Sequence, residues 1–180
     1  MQGPLAPGLC ARIMALMRAI LLSTLLLAAC GSSSPTELPA GARADRVVIV
    51  KSEGWLTLYA GEEELITYFG ITLGDQPIGP KRFAGDGRTP EGDYVIADRT
   101  TGKGHYRSLR ISYPNAADRT YASARGLAPG ENIVIHDGRV AYPRSSLRHE
   151  PNDGNIRITM SQMDQLWSLV PDGTPITIRP

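Results

Sequence analysis

Ile133-Val134-Ile135-His136-Asp137-Gly138 decides how the rest of the chain is read. Three consecutive β-branched side chains favour extended backbone, and Asp-Gly supplies a turn directly after them. The run is too short for an ordinary helix, so it predicts a buried strand that ends on a His, where the chain swings out into a loop. Working outward, the same grammar recurs. Val47 to Val50 is a second apolar run, Trp55-Leu56-Thr57-Leu58-Tyr59 mixes β-branched and aromatic residues, and Gly61 with three Glu marks a turn before Leu65 to Leu73. These three segments predict antiparallel strands. Tyr94-Val95-Ile96, Leu109 to Tyr113 and Ile176-Thr177-Ile178 add further short strands, each bounded by Gly, Pro, Asn or Asp. Two helices are expected: one opens at Asn115 and ends near Gly126; the other has Thr159 and Gln162 at capping-box spacing and stops at Pro171-Asp172-Gly173. Trp55 and Trp167 lie on apolar faces and read as core. The sum is a mainly β, sandwich-like domain with one or two helices packed on it.

Composition agrees. With 42% hydrophobic and 21% charged residues, the 180-residue chain has material for one core, and 19 Gly with 14 Pro favour short strands and tight turns over a helix bundle. Lys plus Arg (19) nearly cancels Asp plus Glu (18), which leaves no basic excess for phosphate backbones. No nucleic-acid partner is expected. Residues 1–29 carry Arg12 and Arg18, no acidic residue and an apolar run from Ala19 to Leu27, the layout of a secretion signal. The run is roughly ten residues long, half of what a membrane-spanning helix needs. It stops at Leu27-Ala28-Ala29-Cys30, which resembles the bacterial lipobox, whose Cys is acylated and becomes the first mature residue. An ordinary signal peptide that contains Cys30 is the alternative, and Met14 or Met17 are alternative starts to Met1. Residues 30–42, rich in Ser, Pro, Gly and Ala, read as a flexible tether, and the domain runs from 43 to 180. Cutting after residue 29 removes two cations and leaves 17 Lys and Arg against 18 Asp and Glu, a formal charge of about −1 that steers nothing. Cys10 and Cys30 are the only cysteines, so the domain has neither disulfide nor thiolate chemistry.

After His136 comes a variable loop, then Asn152-Asp153-Gly154-Asn155-Ile156-Arg157, a polar turn entering a strand. His136 is as easily a hydrogen-bonding structural residue as a chemical one. Together with Gly85-Asp86-Gly87-Arg88-Thr89-Pro90-Glu91-Gly92, Ser112-Tyr113-Pro114-Asn115 and the terminal Asp172-Gly173-Thr174-Pro175-Ile176, the pattern is similar to the L,D-transpeptidase catalytic domain, the YkuD domain, over nearly all of 43–180. The resemblance implies that family's β-sandwich. It puts His136 on the general base, Gly154 beside oxyanion-stabilising N–H groups, and Arg157 on an Arg that holds peptide carboxylates. Asn152 stands for the family's Ser or Thr, Asp153 for its second His and Asn155 for its nucleophilic Cys.

The family's reaction needs a thiolate that attacks a diaminopimelate carbonyl in a peptidoglycan stem peptide, expels a D-amino acid and passes the acyl group to an amine. A carboxamide cannot do this, because its nitrogen lone pair is delocalised into the carbonyl. A relocated nucleophile would have to come from Ser145, Ser146 or Thr159, and Thr159 is better explained as a helix cap. His136, His149 and Asp153 match no compact metal-ligand spacing, and no cofactor is expected. The first expectation is therefore a catalytically silent, L,D-transpeptidase-like lipoprotein of the Gram-negative periplasm, anchored through lipid on Cys30. Gly31 after that Cys resembles the outer-membrane class. It would bind stem peptides through His136, Gly154 and Arg157, or bind a cell-wall enzyme. An active transpeptidase or carboxypeptidase with a non-Cys nucleophile, and a scaffold without ligand, are the competitors.

Overall fold

A computed structural model of the chain describes residue 38 and residues 41–101, 107–138 and 152–180. The signal segment, Cys30 and most of the tether lie outside the described residues. Leu38 and Ala42, on the segment read as tether, pack against the core. The described residues form eight strands: β1 (Arg46–Val50), β2 (Trp55–Ala60), β3 (Glu63–Phe69), β4 (Gly92–Thr101), β5 (Arg107–Ile111), β6 (Val134–His136), β7 (Ile156–Arg157) and β8 (Pro175–Arg179). The helices are α1 (Ala116–Ser123) and α2 (Met160–Leu169).

The strands hydrogen-bond in the order β3-β2-β1-β8-β4-β5-β6-β7. β4 belongs to both halves: its start pairs with β8 and its end with β5, with an irregularity between Ile96 and Asp98. A bulge of this kind bends a strand and increases its twist. The sheet curls so that both halves enclose one core, in which Val47 and Ile49, Leu56 and Leu58, Ile96, Leu109, Ile135, Ile156 and Ile176 meet Met163 and Leu166 of α2. Fully burying each of these side chains contributes about 1.5–3 kcal/mol. Just beyond β3, Thr72 makes an isolated bridge to Arg157, with N–H···O distances of 2.9 and 2.7 Å, so the chain after one sheet edge is drawn against the opposite edge.

The mainly β expectation with two helices is met, and β1, β2 and β3 are antiparallel as read. β3 stops at Phe69 rather than reaching Leu73, because Gly70 takes a positive φ of +70° that breaks the extended run. Both helix starts carry capping boxes, Asn115 with Asp118 and Thr159 with Gln162. Trp55 stands outside the core cluster, half-buried on the outer sheet face opposite exposed Phe69. Trp167 covers the core edge, and the Arg99 and Arg107 guanidinium groups lie 4.8 and 5.4 Å from its ring. Arg99 also donates to the Trp167 and Val170 carbonyls, which satisfies the orphan acceptors at the end of α2.

Candidate functional site

β6 and β7 run parallel, and their register sets His136 opposite Arg157. Strand polarity thus brings together two residues that are 21 positions apart in sequence. His136 is 4% exposed, and its Nδ1 accepts the Gly138 N–H at 3.1 Å. A neutral imidazole with Nδ1 as acceptor carries its proton on Nε2. Burial, aided by the Arg157 charge and opposed by Asp137, pushes this His below its ordinary 6.5, so the neutral ring is the form present at pH 7.

The turn that precedes β7 is held by its own side chains. Asn152 is buried; its Oδ1 accepts the Asn155 N–H at 2.8 Å, while its Nδ2 donates to the Asn155 and Leu73 carbonyls at 2.9 and 3.0 Å. Its own N–H donates to the Asp75 carboxylate at 2.9 Å. Asn155 turns its Oδ1 towards β6 and accepts the Val134 N–H at 3.1 Å. Gly154 has φ +108°, and a Cβ there would lie 2.1 Å from the Arg88 carbonyl oxygen. A second glycine, Gly74, is pressed from the other side; its Cβ would fall 2.3 Å from the Gly87 oxygen and 2.8 Å from the Gly154 Cα. Three backbone segments therefore pass at a spacing only glycine permits.

Asp153 ties the turn to the 81–88 loop. Its carboxylate accepts from Lys81 Nζ at 2.7 Å and from the N–H groups of Gly85 and Gly87, each at 2.8 Å. The Lys81 side chain is fully buried and bonds Asp86 as well, at 3.0 Å. Asp86 in turn accepts the N–H groups of Arg82, Phe83 and Arg88. Burial alone would raise the Asp86 pKa; these N–H donors and the Lys81 ammonium outweigh it and hold the group below its ordinary 3.8. Thr89, also fully buried, accepts the Gly74 N–H at 3.0 Å.

Among the residues singled out from sequence, His136, Asn152, Asp153, Gly154, Asn155 and Arg157 come together. Thr159 is the α2 cap, as expected. Ser145, Ser146 and His149 lie outside the described residues. Among the described residues no group of three or more His, Cys, Asp or Glu is placed to hold a metal. Sequence reading missed Lys81 and its pairing with Asp86 and Asp153. Asp86 stood inside a quoted motif, but nothing in Gly79-Pro80-Lys81-Arg82 announces a lysine that is buried and paired with a turn 72 residues away.

A family model, YkuD, the L,D-transpeptidase catalytic domain, matches residues 44–178. The chain belongs to this L,D-transpeptidase family. Among solved structures it is similar to the helical cell shape determining protein Pgp2 from Campylobacter jejuni, at 20% identity and a TM-score of 0.58, over 76% of this chain and 48% of that one. The chain thus spans about half of Pgp2's length. It is also similar to the L,D-transpeptidase from Xylanimonas cellulosilytica, at 17% identity and a TM-score of 0.46, over 78% of this chain and 63% of that one. No curated protein matches the sequence. The family match and the Pgp2 likeness establish the L,D-transpeptidase-like fold of the curled sheet.

Proposed function

We propose that this domain is a catalytically silent L,D-transpeptidase relative that binds peptidoglycan stem peptides without forming an acyl bond, carried on a periplasmic lipoprotein anchored at Cys30. One observation carries the reading: at the position the resemblance gives to the nucleophile, Asn155 has its side-chain oxygen on the Val134 N–H and its own N–H on Asn152. An amide held this way has no electron pair for a carbonyl carbon, and the backbone N–H that would face a developing oxyanion is already engaged. His136 supports the reading from the other side. With Nδ1 accepting a peptide N–H and the proton on Nε2, the ring is a donor rather than a base. Without a covalent intermediate, binding and oxyanion contacts alone leave roughly 10³–10⁴ over water in a well-studied hydrolase triad.

What remains is a binding surface. The Arg157 side chain lies over Gly138, whose Cβ would fall 2.8 Å from the Arg157 Cδ, and the residue is exposed to solvent. Its guanidinium is suited to bidentate capture of a peptide carboxylate. Incubating the protein with tetrapeptide muropeptides, with free D-alanine as the readout, is expected to release none. Purified sacculi are expected to retain the protein, and Arg157→Ala to weaken retention about tenfold or more, the effect of losing a charge-assisted contact. D-alanine release that an Asn155→Ala variant keeps would overturn the silent reading. Absence of retention would overturn the binding reading.

A further inference from the structure

The segment that leads into the domain is fixed to the end of α2. The Ala44 N–H donates to the Leu169 carbonyl at 2.8 Å, and the Arg43 guanidinium donates to the neighbouring Ser168 carbonyl, also at 2.8 Å. Five residues earlier, Leu38 already packs against the core. Cys30 lies eight residues before Leu38, so fully extended chain spans at most about 28 Å between them. Trp167 stands at the same helix end. Its carbonyl accepts from Arg99, whose guanidinium lies over the Trp167 ring together with that of Arg107. The ring body is half-buried on the core edge, while among the described residues the indole N–H has no acceptor. A Trp with an apolar body and a wet N–H suits a boundary between lipid and water. Arg43 and Arg107 each use one nitrogen on a protein acceptor, Ser168 and Asp164, and keep further N–H donors. Arg99 is committed to Asp172 and to two α2 carbonyls.

We propose that the end of α2, with Trp167, Arg43 and Arg107, rests on the headgroups of the bilayer that holds Cys30, the indole at the interface and the two guanidinium groups on lipid phosphates. This rests on the Cys30 anchor proposed above and adds how the anchored domain lies. The length of the tether argues for this occupant: the chain passes this helix end as it enters β1, and an acylated Cys30 keeps the domain within that short reach of the lipid. Charge agrees. Arg43, Arg99 and Arg107 face the two carboxylates Asp164 and Asp172, a balance of one positive charge, and guanidinium groups pair with phosphate in bidentate fashion. The orientation bears on the candidate site. α2 begins at Met160, three residues beyond Arg157, and its 10 residues rise about 15 Å, so the Asn152–Arg157 turn sits at the opposite end of the helix and is held off the headgroups.

The test is tryptophan fluorescence of the full acylated chain, reconstituted in phosphatidylcholine–phosphatidylglycerol vesicles that contain a lipid with a nitroxide on its headgroup. Trp55 and Trp167 are the chain's two tryptophans, so Trp55→Phe reports Trp167 alone and Trp167→Phe reports Trp55, on the outer sheet face, as the reference. Quenching of Trp167 is expected to exceed that of Trp55 roughly threefold or more, because interfacial Trp sits at headgroup depth. Adding Arg43→Gln/Arg107→Gln to the Trp55→Phe chain is expected to cut the Trp167 quenching by about half or more, the effect of losing two cations near an anionic surface. Equal quenching of the two tryptophans, or none, in chains that float with the vesicles overturns the docking face and leaves the anchor standing. Undiminished quenching in the arginine variant overturns the phosphate contacts. Failure of the wild-type chain to float with the vesicles overturns the anchor and the docking face together.

Discussion

At the scale of single residues, the side chains around position 155 act as bonded parts of the structure. Asn155→Ala leaves the Val134 N–H without its acceptor, and the expected cost is about 1–3 kcal/mol in urea denaturation. His136 adds a pH dependence. Its folded-state pKa is depressed, so the unfolded chain binds a proton that the folded chain rejects; stability is complete above about pH 6.5 and falls as the pH drops below it, by up to about 1.4 kcal/mol per unit. Denaturant midpoints between pH 7.5 and 5 are expected to show this fall, and His136→Gln to flatten it. Tyr68 makes a complementary case, since its buried hydroxyl has no hydrogen-bond partner among the described residues. Tyr68→Phe is expected to leave stability unchanged or raise it by about 1 kcal/mol in the same assay, because a buried hydroxyl without a partner costs free energy. His136, Asn155 and Arg157 were legible as candidates because each stands in a short motif of its own. The engagement of Asn152 and Asp153 was not. A side chain's partner is a tertiary fact, and both partners of Asp153, Lys81 and the 85–87 backbone, come from another part of the chain.

At the scale of elements, the 74–89 segment and the 152–155 turn behave as one clasp, closed by the Lys81, Asp86 and Asp153 charges and by the close approach of Gly74, Gly87 and Gly154. Lys81→Met strands two carboxylates against each other, with an expected loss of about 3 kcal/mol, while Asp153→Asn, which keeps its shape and leaves Asp86 paired, is expected to lose less. Comparing the two denaturation midpoints checks this order. The helix starts were legible because a capping box is written within four residues: Thr159 with Gln162 was read from spacing alone, and each cap is worth about 1 kcal/mol against Ala. The end of β3 was misread because Ile71 and Leu73 continue the apolar pattern past Gly70, where the backbone turns. Those two side chains still enter the core, so burial continues although the strand has ended.

At the scale of the whole molecule, β character and the one-core organisation were legible from short β-branched runs and from composition. The parallel pairings of β1 with β8 and of β6 with β7 were not, because each joins segments whose partners alternation cannot identify. The second of these pairings sets His136 beside Arg157. The curled sheet therefore keeps His136 and Arg157 side by side while the turn before β7 is closed by its own amides. On the function proposed above, this site forms no covalent acyl bond. Mass spectrometry of the chain after incubation with a tetrapeptide muropeptide or a carbapenem, with peptide mapping across residues 133–159, tests it most directly. Every peptide in that window is expected at its unmodified mass; a stoichiometric adduct on any residue within it would overturn the silent reading.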